Sequence, residues 1–185
     1  IYVFEPAPSR DELQLVRSFQ LEDCACTFLA HLDSFIWTGS GDGAFRKYSE
    51  VAGILVLIEK IQSPGFSPSG LCRADDFIYT TDSQSGKIYQ HIVAQGLPVL
   101  NVFNHPAGVS PVGIQYDGRF FYTACAKTNV VYKHLGPQNQ FAVVKSAMLT
   151  PSGAGEIAGI FIDRKSIYII FASKPSKLFV YPLKN

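Results

Sequence analysis

The sequence PVGIQYDGRFFYT at residues 111–123 decides the fold: two short apolar runs flank a turn, and the second run ends on the aromatic Tyr122. The same ending, a short apolar run with an aromatic residue at its close, occurs in three other segments. The four aromatic residues concerned, here termed the anchor aromatics, are Trp37, Tyr79, Tyr122 and Tyr168. They are 42, 43 and 46 residues apart, a near-constant spacing that indicates a repeat architecture.

A second aromatic residue follows each anchor aromatic after 8 to 11 residues, and turn-forming residues lie between the two, such as GSGDG at residues 39–43. The second aromatics are Phe45, Tyr89, Tyr132 and Phe179, with a further copy at Tyr2. Two apolar runs joined by Gly, Asn, Asp or Ser residues predict a β-hairpin. A third short run precedes each hairpin, led in three copies by Gly70, Gly113 or Gly159, and a fourth run follows the complete hairpins. Each complete unit of about 43 residues therefore holds four predicted strands.

Four-stranded units that repeat every roughly 40–50 residues are typical of a β-propeller, because stacked blades bury faces that a single blade leaves exposed. Residues 111–123, and residues 78–82 with 86–89, resemble the repeat units of NHL and YVTN propellers. Residues 38–43 resemble the equivalent turn of a WD repeat. The resemblance extends over nearly the whole chain and implies an all-β fold of four-stranded antiparallel blades.

We therefore expect a single β-propeller domain over residues 1–185. Its repeat units are predicted at 1–22 (partial), 23–64, 65–107, 108–152 and 153–185 (partial). The predicted strands number 17, one more than a closed ring of four four-stranded blades needs. Two arrangements remain open: a four-bladed ring in which the N-terminus supplies the last strand of the last blade, or a slice of a larger propeller. The first residue, Ile1 rather than Met, favours the slice.

The composition excludes several classes of protein. Apolar residues make up 47% of the chain, charged residues only 17%, and the net charge is +1, so neither a disordered chain nor a nucleic-acid partner is expected. No apolar run approaches the roughly 18–20 residues of a membrane helix, and we expect no membrane span. The cysteines are Cys24, Cys26, Cys72 and Cys125; they match neither a disulfide scaffold nor a zinc knuckle, and we expect buried thiols on strands. The same observations favour an intracellular, cytoplasmic location.

The residues that usually carry catalysis have structural interpretations here. Residues 39–43 lack the spacing of a phosphate-binding loop and are predicted to be a hairpin turn. Ser67 and Ser110 occupy equivalent loops, with no helix after them to form a nucleophile elbow, so each is expected to bond its own backbone. Four aspartates recur just before the anchor strands and are predicted turn formers. They are Asp33, Asp75, Asp117 and Asp163.

Two histidines, His91 and His134, occupy the same position in two units, two residues after the second aromatic. Lys47 and Tyr181 are predicted to occupy that position in the other units. Polar side chains at a repeated strand position are expected to face outward into solvent. No catalytic residue and no metal ligand is therefore assigned.

A propeller site is normally built on one rim, from the loops that lead into the innermost strands. The candidate rim residues are Glu22, Asp23, Phe66, Ser67, Val109, Ser110 and Glu156. Loops on a rigid scaffold commonly carry binding, and we expect a non-enzymatic interaction scaffold that presents these loops to a protein or peptide partner without a cofactor. If the ring is open, self-association or further blades are expected as well.

The alternative is a metal-dependent hydrolase or lyase with its site at the central funnel. This alternative comes from the resemblance to lactonase-like propellers, and it would place calcium or zinc on Glu22, Asp23 and Glu156. A sugar-binding propeller ranks last, because Phe66 is the one aromatic residue among the candidate rim residues.

Overall fold

The computed structural model describes residues 1–6, 13–21, 25–106, 110–163, 165–174 and 176–183. These residues form strands and one single-turn 3₁₀ helix at Pro137–Asn139, which confirms the all-β prediction. The strands are β1 (Tyr2–Pro6), β2 (Leu13–Ser18), β3 (Cys26–Leu32), β4 (Phe35–Ser40), β5 (Ala44–Val51), β6 (Ile54–Gln62), β7 (Pro68–Ala74), β8 (Phe77–Asp82), β9 (Lys87–Ile92), β10 (Val99–Asn104), β11 (Pro111–Tyr116), β12 (Phe121–Cys125), β13 (Val130–His134), β14 (Val143–Met148), β15 (Glu156–Ile162), β16 (Ser166–Ala172) and β17 (Lys177–Pro182).

The strands form a β-propeller arrangement in which each strand pairs antiparallel with its neighbour in sequence. Blade 1 is β3–β6, blade 2 is β7–β10, blade 3 is β11–β14, and blade 4 is the three-stranded sheet β15–β17. Strands β1 and β2 form a separate hairpin that reaches blade 1 through an ion pair between Arg17 and Glu50. Within the described residues, β2 does not hydrogen-bond to β17, so it does not act as the fourth strand of blade 4.

Each blade has two faces, because side chains alternate across a strand. We term the face toward the following blade the forward face and the opposite one the rear face. The forward face of blade 2 places Tyr79 and Phe103 against Ile114, Phe121 and Phe141 of blade 3. The junctions between blades 1 and 2 and between blades 3 and 4 are built in the same way. The core is thus a series of apolar layers between sheets.

Three of the four anchor aromatics lie within these layers. Trp37, Tyr79 and Tyr122 are 4%, 3% and 2% exposed, each covered by the blade that follows. Burial of a large apolar side chain contributes about 1.5–3 kcal/mol, so each buried anchor aromatic stabilises its junction substantially.

Glycines allow the innermost strands to approach closely. A Cβ atom on Gly70 would lie 2.7 Å from the Cα of Gly113, and one on Gly113 would lie 2.7 Å from Cγ2 of Ile160. A Cβ on Gly159, the corresponding glycine of blade 4, would meet nothing within 4 Å among the described residues. Gly70 and Gly113 therefore allow the blades to stack closely, and in the described part of the chain no sheet packs on the forward face of blade 4.

The prediction that Lys47 is equivalent to His91 and His134 is wrong. The strand register pairs Trp37 with Lys47, Tyr79 with Gln90, Tyr122 with Lys133 and Tyr168 with Val180. The residue that follows each of these partners is therefore the true equivalent in its blade. These residues are Tyr48, His91, His134 and Tyr181. Phe45 lies two positions before the partner of its anchor, whereas Tyr89 and Tyr132 lie one position before theirs, so an alignment made on these aromatic residues is displaced by one in blade 1.

Candidate binding sites

The described rim residues occupy different environments. Phe66 is 81% exposed, Ser110 is half-buried, and Glu156 is exposed at the start of β15. Glu22, Asp23 and Val109 lie outside the described residues. A binding site at the rim stays a prediction.

Ser67 has a structural role that differs from the predicted one. Its backbone N–H donates to Oδ2 of Asp82 over 2.6 Å, and its hydroxyl lies 2.8 Å from that of Ser83. Asp82 is buried and also accepts a hydrogen bond from the N–H of Ser85. The serine thus ties the loop that leads into blade 2 to the hairpin turn of the same blade, rather than bonding its own backbone.

The predicted turn aspartates include two that cap turns in the same way. Asp117 accepts hydrogen bonds from the N–H groups of Arg119 and Phe120, and its other oxygen accepts one from the hydroxyl of Tyr122. Asp163 repeats this pattern with Lys165, Ser166 and Tyr168. Asp33 and Asp75 instead adopt left-handed backbone conformations, with φ of 50° and 52°. All four aspartates therefore belong to turns, as predicted.

The histidines His91 and His134 are fully buried, so the prediction that they face solvent is wrong. Both faces of a middle blade are covered by neighbouring blades, and neither side of the strand is open to water. Nε2 of His91 lies 2.8 Å from the hydroxyl of Thr80, and its Nδ1 lies 2.8 Å from the carbonyl oxygen of Leu97. Because a carbonyl only accepts, Nδ1 carries the proton and Nε2 accepts from Thr80.

His134 repeats this arrangement and adds a third residue. Its Nδ1 donates to the carbonyl of Phe141, and its Nε2 accepts from the hydroxyl of Thr123. That hydroxyl then accepts from Nε2 of His105, 2.7 Å away. The bonding order leaves Nδ1 of His105 as a buried acceptor without a hydrogen-bond partner among the described residues.

Burial keeps these histidines neutral. It lowers the pKa of His134 to about 4 despite the opposing hydrogen bond to Phe141. It also lowers the pKa of His105 to about 4, with a smaller contribution from the nearby His134. Burial lowers the pKa of His91 as well. The three side chains are tightly enclosed, and their chemistry is that of structural hydrogen bonding.

Metal ligands do not cluster in the described part of the chain: no group of three His, Cys, Asp or Glu side chains there could hold an ion. Cys72 and Cys125 are buried as predicted, Cys26 is exposed, and Cys24 lies outside the described residues. None of the helical structure described is long or apolar enough to cross a membrane.

Two clefts open between blades, and both contain a lysine over aromatic rings. The first, of about 300 Å³ between blades 1 and 2, is lined by Phe35, Trp37, Lys47 and Glu59 among others. Nζ of Lys47 lies 3.9 Å from the ring centroid of Phe35 and 5.4 Å from that of Trp37. Glu59 lies opposite Lys47 on the adjacent strand.

The second cleft, of about 220 Å³, occupies the corresponding place between blades 3 and 4. Nζ of Lys133 lies 4.0 Å from the ring centroid of Phe120 and 5.5 Å from that of Tyr122. Neither cleft was predicted from the sequence. Their signal was an aromatic residue two positions before the anchor aromatic, together with the lysine that pairs with the anchor.

The forward face of blade 4 is a third candidate, because it is apolar and exposed. Phe161, Ile170, Leu178 and Val180 are 57%, 47%, 49% and 54% exposed, and all four project from this face. The anchor aromatic Tyr168 lies among them, with its ring 5.7 Å from that of Phe161. A contiguous exposed apolar area of this kind commonly marks an interaction surface.

No protein-family model matches the chain, and no curated protein matches it. Among solved structures, the chain is similar to the glutaminyl cyclase of Myxococcus xanthus, with a TM-score of 0.68 and 13% identity over 92% of this chain and 79% of that one. A putative 6-phosphogluconolactonase from Bacteroides uniformis gives a TM-score of 0.64 and 13% identity over 99% of this chain and 60% of that one. The computationally designed Ika4 protein gives 0.54 and 14% identity over 92% and 99%. At such low identity these likenesses establish the fold alone.

Proposed function

We propose that the chain is a non-enzymatic protein-interaction module whose main binding surface is the forward face of blade 4. The observation that carries the proposal is the exposure of this face, at the place where the next blade lies in the three earlier junctions. Tyr168 and Gly159 occupy the positions that are covered in those junctions. The exposed Phe66 on the rim is a separate candidate contact for a protein or peptide partner.

The partner that fits this face best is the rear face of another blade. In each internal junction the rear face presents an aliphatic residue from its innermost strand, and the three residues concerned, Leu71, Ile114 and Ile160, are 2%, 0% and 8% exposed. The register makes Leu29 their equivalent in blade 1, and it is 56% exposed. On the same face of blade 1, Thr38, Arg46 and Tyr48 are buried, so the exposed part of this rear face lies at its innermost strand. We propose that a second copy joins this exposed part of its rear face to the forward face of the first.

Such a contact is heterologous, because two different surfaces meet. Lysine at either face should therefore prevent growth from that face only. We expect the molar mass of the wild-type chain, measured by light scattering after size exclusion, to increase with concentration, and both Leu29→Lys and Ile170→Lys to be monomeric. An equimolar mixture of these two variants should form a dimer that grows no further.

The matched control is Val102→Lys, an equally exposed apolar residue on β10 that belongs to neither end face. It should associate like the wild type. A wild-type chain that stays monomeric at all concentrations would contradict the proposal. Loss of association in Ile170→Lys but not in Leu29→Lys would also contradict it, because the contact would then be symmetric. Circular dichroism checks that each variant is folded.

The alternative function is a metal-dependent hydrolase or lyase, supported by the names of two similar structures, a glutaminyl cyclase and a putative 6-phosphogluconolactonase. Under this alternative, Glu22, Asp23 and Glu156 hold calcium or zinc. Elemental analysis and a thermal shift with each ion test it. The alternative requires a bound ion in the wild type and loss of the shift in both Asp23→Asn and Glu156→Gln; a chain that shows neither metal nor shift excludes it.

A further inference from the structure

The three complete blades carry a corresponding pair of residues on neighbouring strands of the forward face. In each blade the first residue of the pair is the strand partner of the anchor aromatic. The second residue lies on the outermost strand, directly opposite the first. The pairs are Lys47 with Glu59, Gln90 with Asn101, and Lys133 with Lys145. This correspondence allows the blades to be compared at one structural position.

The first two pairs are complementary. Lys47 and Glu59 have opposite charges. In blade 2, Nδ2 of Asn101 donates to Oε1 of Gln90 over 2.8 Å, and Nε2 of Gln90 donates to the hydroxyl of Tyr79 over 2.9 Å. Blade 3 differs, because Lys133 and Lys145 are like charges directly opposite each other, an arrangement that destabilises a sheet.

The protein itself does not compensate these two charges within the described residues. No carboxylate there lies within 4.0 Å of either ammonium group. Lys133 is half-buried and held against Phe120 and Tyr122, so it cannot simply move its whole stem into water. Lys145 is exposed, so the two positive charges meet at the open mouth of the cleft, with Lys133 on its inner side.

Both lysines line the cleft between blades 3 and 4, and its other walls are largely apolar. Tyr122 and Leu149 come from blade 3 and the loop that follows it, and Ile167 and Tyr181 from blade 4. Cations at one side and aromatic and aliphatic walls at the other are complementary to an amphipathic anion.

We propose that this cleft binds a small organic anion, a carboxylate or a phosphate ester, with an apolar body of about one ring. The anion lies between Lys133 and Lys145 and removes their mutual repulsion, and the apolar body packs on Tyr122, Ile167 and Tyr181. The site is independent of the self-association proposed above, because it uses the rear face of blade 4 rather than its forward face.

Isothermal titration with phenyl phosphate and with phenylacetate tests the proposal. We expect saturable binding of at least one of the two, and a thermal shift that increases with its concentration. Inorganic phosphate should bind at least about tenfold more weakly than phenyl phosphate, because it lacks the apolar body. Saturable binding of neither probe would overturn the site, and equal affinity for inorganic phosphate would overturn the role assigned to the apolar walls.

Two variants locate the site. Lys133→Met keeps the apolar stem, and Lys145→Glu recreates the opposite-charge pair of blade 1. Each should weaken binding by about tenfold or more, as expected for loss of a charged hydrogen-bond donor. Lys145→Glu should also raise the melting temperature without ligand, which shows that the fold is intact.

The matched control is Lys47→Met, at the same position of the cleft between blades 1 and 2, where Glu59 already supplies a negative charge. It should leave the affinity unchanged. An equal loss of affinity in Lys47→Met, or unchanged affinity in both Lys133→Met and Lys145→Glu, would overturn the assignment of the anion to this cleft.

Discussion

The hydroxyl of Thr123 lies 2.8 Å from Nε2 of His134 inside the junction between blades 2 and 3, and both side chains are fully buried. The same hydroxyl also accepts a hydrogen bond from Nε2 of His105. One threonine therefore joins the imidazole of His134, on strand β13, to that of His105, in a loop. The corresponding Thr80 in blade 2 has one such bond, to His91. This difference makes the two threonines a matched pair for experiment.

Thr123→Val should destabilise the protein by about 1–3 kcal/mol, because it leaves two buried ring nitrogens without their partner. Thr80→Val leaves one ring nitrogen without a partner and should cost less. Urea unfolding at neutral pH measures both. A cost for Thr80→Val equal to or larger than that for Thr123→Val would contradict the bonding order described for His105 and His134.

The stability should decrease as the pH falls below about 6.5. The pKa of His105 and of His134 is about 4 in the folded chain, below the ordinary 6.5, so between these values the unfolded chain binds protons that the folded chain does not. Stability that is fully present above pH 6.5 is therefore lost progressively down to pH 4, by on the order of 3 kcal/mol for each histidine. Urea midpoints at a series of pH values measure this loss.

A variant and a control assign the pH effect. His105→Gln keeps a donor for Thr123 and removes one titrating group, so its stability should vary less with pH than that of the wild type. His31→Gln, at an exposed position on β3, should leave the pH dependence unchanged. The assignment to buried histidines fails if the two variants behave alike.

Gly70→Ala should destabilise the fold by about 1–3 kcal/mol, because the added methyl group would lie 2.7 Å from the backbone of Gly113. Gly159→Ala should change the stability of the monomer by less than about 0.5 kcal/mol, because its surroundings are open. Thermal unfolding at low protein concentration measures both. A large loss in Gly159→Ala under these conditions would show that its face is already covered within one chain.

Asp117→Ala should cost about 1–2 kcal/mol, because three donors lose one carboxylate: the N–H groups of Arg119 and Phe120 and the hydroxyl of Tyr122. Asp163→Ala removes the same contacts from the more exposed turn of blade 4 and should cost less. Urea unfolding of the two variants measures the difference. Equal costs would indicate that the buried position of Tyr122 does not strengthen its bond to Asp117.

The propeller architecture could be predicted because its signal is periodic: Trp37, Tyr79, Tyr122 and Tyr168 recur at nearly constant spacing. The register of the first hairpin could not, because a turn shorter by one residue still leaves an aromatic, Phe45, near the expected place. The burial of His91 and His134 was missed because polar residues on a strand ordinarily mark an open face, whereas stacked blades cover both. The second cleft also needs walls from blade 4, Ile167 and Tyr181, which are distant in sequence from the aromatic and lysine residues that signal it.

The repeated junctions also determine how the molecule should open. Because the main contacts among the described blades join neighbours, local opening below the global unfolding transition should differ from blade to blade. Blades 2 and 3 are each covered by a neighbouring blade on both faces, whereas blade 4 is covered by a blade on its rear face only, among the described residues. Backbone amides of β7, β8, β11 and β12 should therefore exchange with deuterium most slowly, and those of β16 and β17 should exchange first.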